Sequence, residues 1–287
     1  MPELPEVEVV KRSLQKNIKN LTIKKVKIHN IKLRYIINKN QINKITNKKI
    51  LNIKRRSKYL IINLSKGISI ISHLGMTGKF IILKKKTLKK TSFYYDLKNL
   101  NEKHNHLVFF LDKKIKLIYN DVRKFGFIKI VKTDLIDSNS HIKRLGPEPL
   151  SSKFDFIYFK KNILNKKKFI KDLLMDQKFI SGLGNIYVNE ILFRSKLKPN
   201  KKAQLLDDDQ ISKVVQITKR ILKLAIKKGG SSIKDFRNNE GEMGKFQDKF
   251  KVYGRNDKKC PNTNCRDIIK KLMINNRSTF FCDSCQK

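Results

Sequence analysis

The chain opens Met1-Pro2-Glu3-Leu4-Pro5-Glu6, and a proline in second place can become a reagent. Loss of the initiator methionine would leave Pro2 as a free secondary amine. An α-amino group titrates near about 7.7–8, against about 10.4 for lysine, so much more of it is neutral at physiological pH. A neutral amine attacks electrophilic carbon and forms Schiff bases. Glu3 adjoins it as a candidate general acid. The plainer reading is that a proline here only opens a helix. If Met1 persists, the nitrogen is acylated and the nucleophile is lost.

Two further sets of residues are typed for chemistry. Cys260 and Cys265, then Cys282 and Cys285, are the chain's four cysteines. Close pairs of this kind predict a tetrahedral zinc site with four thiolates, closed to catalysis and serving to fold a small module. Arg277-Ser278-Thr279-Phe280-Phe281 lies between the pairs and reads as an alternating strand presenting Arg277 outward, suited to a phosphate. The second set is a pair of loops. His73-Leu74-Gly75-Met76-Thr77-Gly78 projects an apolar side chain between glycines, and Asn120-Asp121-Val122-Arg123-Lys124-Phe125-Gly126 sets a cation two residues from an aromatic. Met76, Arg123 and Phe125 together make a candidate wedge that enters a base stack and fills the space of an extruded nucleotide.

The elements that must position these residues are legible in the hydrophobic pattern. Val7, Val10, Leu14 and Ile18 form one helical stripe, with Pro5 and Glu6 in its first turn. Pro2 then lies just before a helix N-terminus, which disfavours an ammonium. Ile23–Ile28, Tyr59–Leu64, Ile68–Ile71, Phe80–Leu83, Leu107–Leu111, Ile115–Tyr119 and Phe127–Val131 are short apolar runs separated by polar turns, an antiparallel β sandwich or barrel. A polar stretch at Asp134–Ser140 and the rigid Leu145-Gly146-Pro147-Glu148-Pro149-Leu150 mark a boundary. Beyond it, Ser181-Gly182-Leu183-Gly184 leads into a helix at Asn185–Phe193, and a longer helix with its stripe from Ile211 to Ala225 ends at Gly229-Gly230. The Lys84–Lys90 and Lys166–Lys168 clusters read as solvated loops. The expected division is a catalytic β domain over 1–133, a linker over 134–150, a helical domain over 151–250 and a zinc hairpin over 251–287.

Charge points to the partner. The 287 residues carry 67 Lys plus Arg against 24 Asp plus Glu, a formal +43, with no acid between Glu8 and Asp96. Such a surface attracts a polyanion with strong salt dependence. The absence of Trp and the abundance of Lys, Ile and Asn also fit AT-rich codon drift, so charge alone assigns no chemistry. No apolar run approaches the length of about 18 residues that spans a membrane. No signal-peptide pattern follows Met1, and the expected setting is cytoplasmic, beside the chromosome.

In order along the chain, Pro2-Glu3-Leu4-Pro5-Glu6-Val7-Glu8, Arg55-Arg56-Ser57-Lys58-Tyr59-Leu60, the His73–Met76 and Arg123–Phe125 loops, Leu145–Leu150, Gly182-Leu183-Gly184-Asn185-Ile186-Tyr187, Val252-Tyr253-Gly254-Arg255 and the cysteine hairpin resemble the formamidopyrimidine-DNA glycosylases. The resemblance spans residues 2 to 287. It implies an α+β multidomain fold: an N-terminal two-sheet β sandwich, a helix–two-turn–helix domain and a C-terminal β-hairpin zinc finger holding one structural Zn²⁺. It implies a monomeric bifunctional glycosylase and AP lyase acting on double-stranded DNA that contains oxidised purines (8-oxoguanine, formamidopyrimidines) or abasic sites. By resemblance, Pro2 attacks C1′ of the flipped nucleotide, Glu3 protonates the opening sugar, Lys58 assists β-elimination and Arg277 δ-elimination. His73 and Asn185 correspond to phosphate clamps. Met76, Arg123 and Phe125 correspond to the wedge, with Arg123 facing the estranged cytosine. Glu6 and Glu190 correspond to carboxylates near the active site, and His104, Lys166 and Lys167 to further DNA contacts. Departures are the four residues between Cys260 and Cys265 where two are usual, Val122 in place of a proline, and Asn105 in place of an aspartate. The rival readings are an endonuclease VIII-type enzyme for oxidised pyrimidines and a non-catalytic basic zinc protein; the latter leaves Pro2-Glu3, Lys58 and the paired loops unexplained.

Overall fold

The computed structural model describes residues 1–84, 87–90, 101–231 and 246–287. The chain divides into two compact units, one made of Met1–Lys143 with the segment that begins at Lys228, the other of Arg144–Lys227 with Phe246–Lys287.

The first unit contains α1 (Leu4–Ile18), β1 (Thr22–Ile28), α2 (Lys39–Asn43), β2 (Lys48–Arg56), β3 (Tyr59–Leu64), β4 (Ile68–His73), β5 (Lys79–Lys84), β6 (Thr87–Lys90), β7 (Asn105–Leu111), β8 (Lys116–Asn120) and β9 (Phe127–Lys132). Every strand pairing is antiparallel, in the order β6-β5-β8-β7-β1-β2-β3-β4-β9. The two halves join along the start of β1, where Thr22 and Ile23 pair with Lys49 and Lys48 and Asn20 and Leu21 bond to Ile50. They close on one core that takes Ile23, Phe80, Leu107, Phe109 and Leu117 from one half and Ile53, Leu60, Ile62, Ile70 and Ile130 from the other. That is the sandwich. The α1 stripe Val7, Val10, Leu14 and Ile18 is buried in the same core, each side chain contributing about 1.5–3 kcal/mol of transfer free energy.

Each apolar run read as a strand lies on a strand. β2 lacks a visible signature because its pairing with β3 shifts register between Ile50 and Asn52. The extra residue places Ile50 and Ile53 both inward at a spacing of three, which breaks the two-residue alternation that marks a half-buried strand. The Lys84–Lys90 cluster also differs from expectation: Thr87–Lys90 pairs with β5, and residues 85 and 86 lie outside the described residues.

The second unit holds α3 (Phe156–Ile163), α4 (Ile170–Met175), α5 (Asn185–Arg194), α6 (Asp208–Lys227) and a hairpin of β10 (Ile269–Ile274) and β11 (Arg277–Cys282). One core joins Phe159, Ile170, Leu174, Tyr187, Ile191, Val214, Ile221 and Leu222. α6 carries Asp208 and Asp209 in its first turn, where carboxylates favour the helix dipole. The hairpin turns on Asn275 and Asn276, both with positive φ (46° and 57°), a conformation asparagine tolerates best among non-glycine residues. The expected alternation along the cysteine strand is absent: Arg277 is exposed, but Thr279, Phe280, Phe281 and Cys282 are all buried. Phe280 and Cys282 join a small core with Phe193 and Val252, while Thr279 meets the α4 lysine Lys171. Among the described residues no helix is long and apolar enough to cross a membrane.

Candidate functional site

In the first unit the residues that follow the exposed Met1 form a buried, electrostatically tuned place. Pro2, Glu3 and Glu6 are all buried. Burial pulls the Met1 ammonium below the usual α-amino range; Glu3 and Glu6 oppose that, and Lys58 and Arg123 add to it. An amine here is thus biased toward its neutral, nucleophilic form. Glu6 is committed to architecture. Its Oε2 accepts the Glu3 N–H at 2.9 Å, and its Oε1 accepts the N–H and hydroxyl of Ser231 at 2.8 and 3.0 Å. Gly230, at φ +81°, passes so close that a Cβ would lie 3.1 Å from the Glu6 carboxylate. Glu6 therefore fixes the start of α1, and with it Pro2 and Glu3.

Lys58 sits in the two-residue turn between β2 and β3, with Ser57 in the left-handed region (φ 56°). It is only 6% exposed. A polar chain ties this turn to α1: Glu8 accepts from Arg55 Nε at 3.0 Å, and Arg55 Nη1 donates to the Ser57 carbonyl at 2.8 Å. Burial alone would raise the Glu8 pKa, but its bonds to Arg12 and Arg55 hold it below the usual carboxylate range. The helix and the lysine turn are thereby clamped together.

His73 closes β4. Burial, with Lys58, Arg34 and His141 nearby, depresses its pKa to about 4, so the ring is neutral at neutral pH. Its Nδ1 accepts the Gly75 N–H at 3.0 Å, which puts the remaining ring hydrogen on Nε2 and makes that nitrogen a donor. The Met76 loop follows directly. Met76, Val122 and Phe125 are 39%, 50% and 45% exposed, and the Arg123 guanidinium stacks over the Phe125 ring at 4.5 Å. These exposed apolar side chains sit on two loops whose backbones meet at Gly75 and Gly126. Val122, which the sequence marks only as a departure from the family pattern, is exposed alongside them. His104 is half-buried, and its carbonyl accepts the Asp121 N–H at 3.1 Å.

In the second unit α5 organises the hairpin. Gln177 braces the glycine turn before it, its Oε1 accepting the Gly182 N–H at 2.9 Å and its Nε2 donating to the Leu183 carbonyl at 2.8 Å. Asn185, the first residue of α5, donates from Nδ2 to the Ser278 carbonyl at 2.8 Å and keeps a second Nδ2 hydrogen for another acceptor. Asn189 accepts the Phe280 N–H at 2.7 Å. Lys171, 1% exposed, donates to Thr279 Oγ1 at 2.5 Å and to the Arg277 carbonyl at 3.4 Å. Burial lowers its pKa to about 8, with Asp172 opposing and Arg277 adding to the shift. Asn189 and Lys171 carry no motif that marks them in sequence, since a lysine inside an apolar helix looks like a solvated charge. Glu190 is fully buried and accepts the backbone N–H groups of Lys251, Val252 and Tyr253 at 2.9–3.0 Å, with Arg194 at 3.4 Å. Its carboxylate is spent on the approach to the hairpin. Lys166 and Lys167 are exposed, between α3 and α4.

The ligand atoms of Cys260, Cys265, Cys282 and Cys285 all lie within 4.8 Å of one another. Sγ of Cys260 and Cys285 are 3.8 Å apart, and those of Cys265 and Cys282 3.6 Å. A tetrahedron with Zn–S near about 2.3 Å has sulfur edges of about 3.8 Å, so the donor set fits a thiolate-bound ion. Asn262 Nδ2 donates to Cys285 Sγ at 3.1 Å, the kind of outer bond that orients a ligand sulfur. The longer first spacing is accommodated.

A sandwich that buries a terminal Pro-Glu beside a lysine turn, two loops with exposed apolar tips, and a helix-braced four-cysteine hairpin define a DNA-lesion enzyme class, and the comparisons agree. The family model of the formamidopyrimidine-DNA glycosylase N-terminal domain matches residues 1–128, and that of the formamidopyrimidine-DNA glycosylase H2TH domain matches residues 145–237. The chain is 41% identical over 287 residues to the formamidopyrimidine-DNA glycosylase of Rickettsia bellii (strain OSU 85-389), covering all of both chains. It is 37% identical over 292 residues to that of Rhodopseudomonas palustris (strain HaA2), again at full coverage. Among solved structures, a point mutant of Lactococcus lactis FPG in complex with a Fapy-dG containing DNA gives a TM-score of 0.86 at 36% identity over all of both chains. The L. lactis Fpg complex with an abasic site containing DNA gives 0.85 at 36% identity over 99% of each. The chain belongs to the formamidopyrimidine-DNA glycosylase family.

Proposed function

We propose that this protein is a base-excision repair enzyme, a DNA glycosylase and AP lyase that removes formamidopyrimidine and 8-oxoguanine from duplex DNA. The observation that carries the reading is the terminal site, where the α-amine is biased toward neutrality by partial burial, with Pro2, Glu3 and Lys58 buried around it. Once Met1 is removed, the Pro2 nitrogen takes over this environment. It attacks C1′ of the damaged nucleotide, Glu3 protonates the sugar ring oxygen as the ring opens, and the base departs with a proton. The product is a Schiff base joining Pro2 to C1′, an electron sink. Loss of a C2′ proton expels the 3′ phosphate, and a second elimination expels the 5′ phosphate; hydrolysis frees Pro2. Lys58 supports the first elimination and Arg277 the second.

DNA is gripped through its phosphates and opened through its stack. His73 donates from Nε2, Asn185 from its second Nδ2 hydrogen, and His104, Lys166 and Lys167 add contacts. Met76 and Phe125 fill the space of the flipped nucleotide, and Arg123 meets the base left opposite. Glu6 and Glu190 support these groups by fixing Pro2-Glu3 and the hairpin approach, without touching the reacting atoms. Cys260, Cys265, Cys282 and Cys285 hold one Zn²⁺, which supplies folding free energy to the hairpin. The enzyme works as a monomer, in the cytoplasm with the chromosome.

Pro2→Gly tests the assignment. Base excision from an 8-oxoguanine duplex is expected to fall by several orders of magnitude while duplex affinity stays within about threefold, because only the covalent step loses its nucleophile. Wild-type rates in this variant would remove Pro2 from the mechanism.

A further inference from the structure

Asp121 is completely buried, and no ion pair among the described residues includes it. Burying a carboxyl group without a cation costs several kcal/mol unless hydrogen bonds replace its water. Its close bonds run to the two projecting loops. Oδ1 accepts the Thr77 hydroxyl at 2.5 Å. Thr77 Oγ1 in turn accepts the Arg123 N–H at 2.9 Å, so one hydroxyl links both loops. Oδ2 accepts the Gly126 N–H at 2.8 Å, with the Tyr119 hydroxyl more distant at 3.5 Å. The backbone of Asp121 is held as well, its N–H by the His104 carbonyl and its carbonyl by His106 Nε2 at 2.7 Å.

Glycines let these groups converge. A Cβ on Gly75 would stand 2.5 Å from the backbone of Phe125 and Gly126, and one on Gly126 would stand 1.9 Å from the Tyr119 hydroxyl and 2.6 Å from the His73 carbonyl. The loops touch backbone to backbone at Gly75 and Gly126. Met76 follows the first of these glycines and Phe125 precedes the second. An apolar residue at position 121 would serve a core equally well; a carboxylate serves to fix groups in place.

We propose that Asp121, acting through the Thr77 hydroxyl, is the positioning residue that holds Met76, Arg123 and Phe125 as one preformed wedge. The inference rests on the wedge reading above and deepens it. The wedge then enters the stack without first having to order its loops, so Asp121 governs lesion extrusion and leaves sugar chemistry untouched.

The test compares wild type with Thr77→Val, Thr77→Ser and Asp121→Ala on two measurements. The first is fluorescence of 2-aminopurine next to a tetrahydrofuran site, which reports unstacking without catalysis. The second is the ratio of 8-oxoguanine excision to cleavage of a preformed abasic site. Thr77→Val is expected to reduce the fluorescence rise and to lower the ratio by about tenfold, the equivalent of one hydrogen bond to an ionisable group. Thr77→Ser restores both. Asp121→Ala gives the same signature more strongly, and Thr77→Val carries the test if that variant does not fold. Unchanged fluorescence and ratio in Thr77→Val, or equal loss of excision and abasic cleavage together with a lowered Tm, would overturn the proposal. A wild type that unstacks 2-aminopurine yet excises no 8-oxoguanine would defeat the substrate assignment while the fluorescence comparison still judges the clamp.

Discussion

At the scale of single residues, the site depends on which groups are kept uncharged and which are already engaged. His73 is the clearest case. Its folded pKa of about 4 lies below an unfolded value near about 6.5, so as pH falls the unfolded chain takes up its proton first. Stability contributed by neutral His73 is therefore complete above pH about 6.5 and is lost progressively toward about 4. Between pH 7 and 5 the expected loss is about 2 kcal/mol, and urea titrations of wild type and His73→Gln at the two pH values should differ by that amount. A wild type no more acid-sensitive than the variant would contradict the burial of a neutral ring. Glu190 makes a different prediction. Glu190→Ala leaves buried N–H groups of residues 251–253 without an acceptor, at a cost of about 3 kcal/mol or more. Pro2, Glu3, Lys58 and Arg277 can be singled out as candidates from the sequence because they sit inside short motifs. Lys171 and Asn189 cannot, because their partners are distant in sequence and only the fold brings those together; the link from Asp121 to Thr77, 44 residues away, is hidden in the same way.

At the scale of elements, helices and turns act as mounts. α1 carries Pro2-Glu3 and is tied by Glu8 and Arg55 to the Lys58 turn; α5 carries Asn185 and is tied by Asn189 to β11. The runs at Tyr59–Leu64 and Phe127–Val131 announce strands because each is short, apolar and bounded by turns. β2 does not, because its register shift hides the alternation. The hairpin falls between these cases: its cysteines are plain, but the burial of Thr279 to Cys282 follows from contacts with Lys171 and Phe193 that spacing does not reveal. One zinc per chain is expected by metal analysis, and Cys265→Ser should lose the ion and weaken DNA binding if, as proposed, the hairpin bearing Arg277 folds around it. Full metal content in that variant would contradict a four-thiolate site.

At the scale of the whole molecule, a formal +43 predicts binding dominated by phosphate contacts. Raising salt from about 50 to 200 mM should weaken affinity for undamaged duplex by about a thousandfold or more, read by fluorescence anisotropy; a drop of less than about tenfold would assign most of the surplus charge to composition. In the proposed reading, charge selects the polyanion and the terminal amine selects the chemistry. The most direct test of that claim is borohydride trapping on duplexes carrying 8-oxoguanine opposite cytosine, with a thymine-glycol duplex alongside. A stable covalent adduct on the oxoguanine strand, absent in Pro2→Gly, is the predicted result. Adduct formed chiefly on thymine glycol, or none on either duplex despite retained DNA binding, would contradict it.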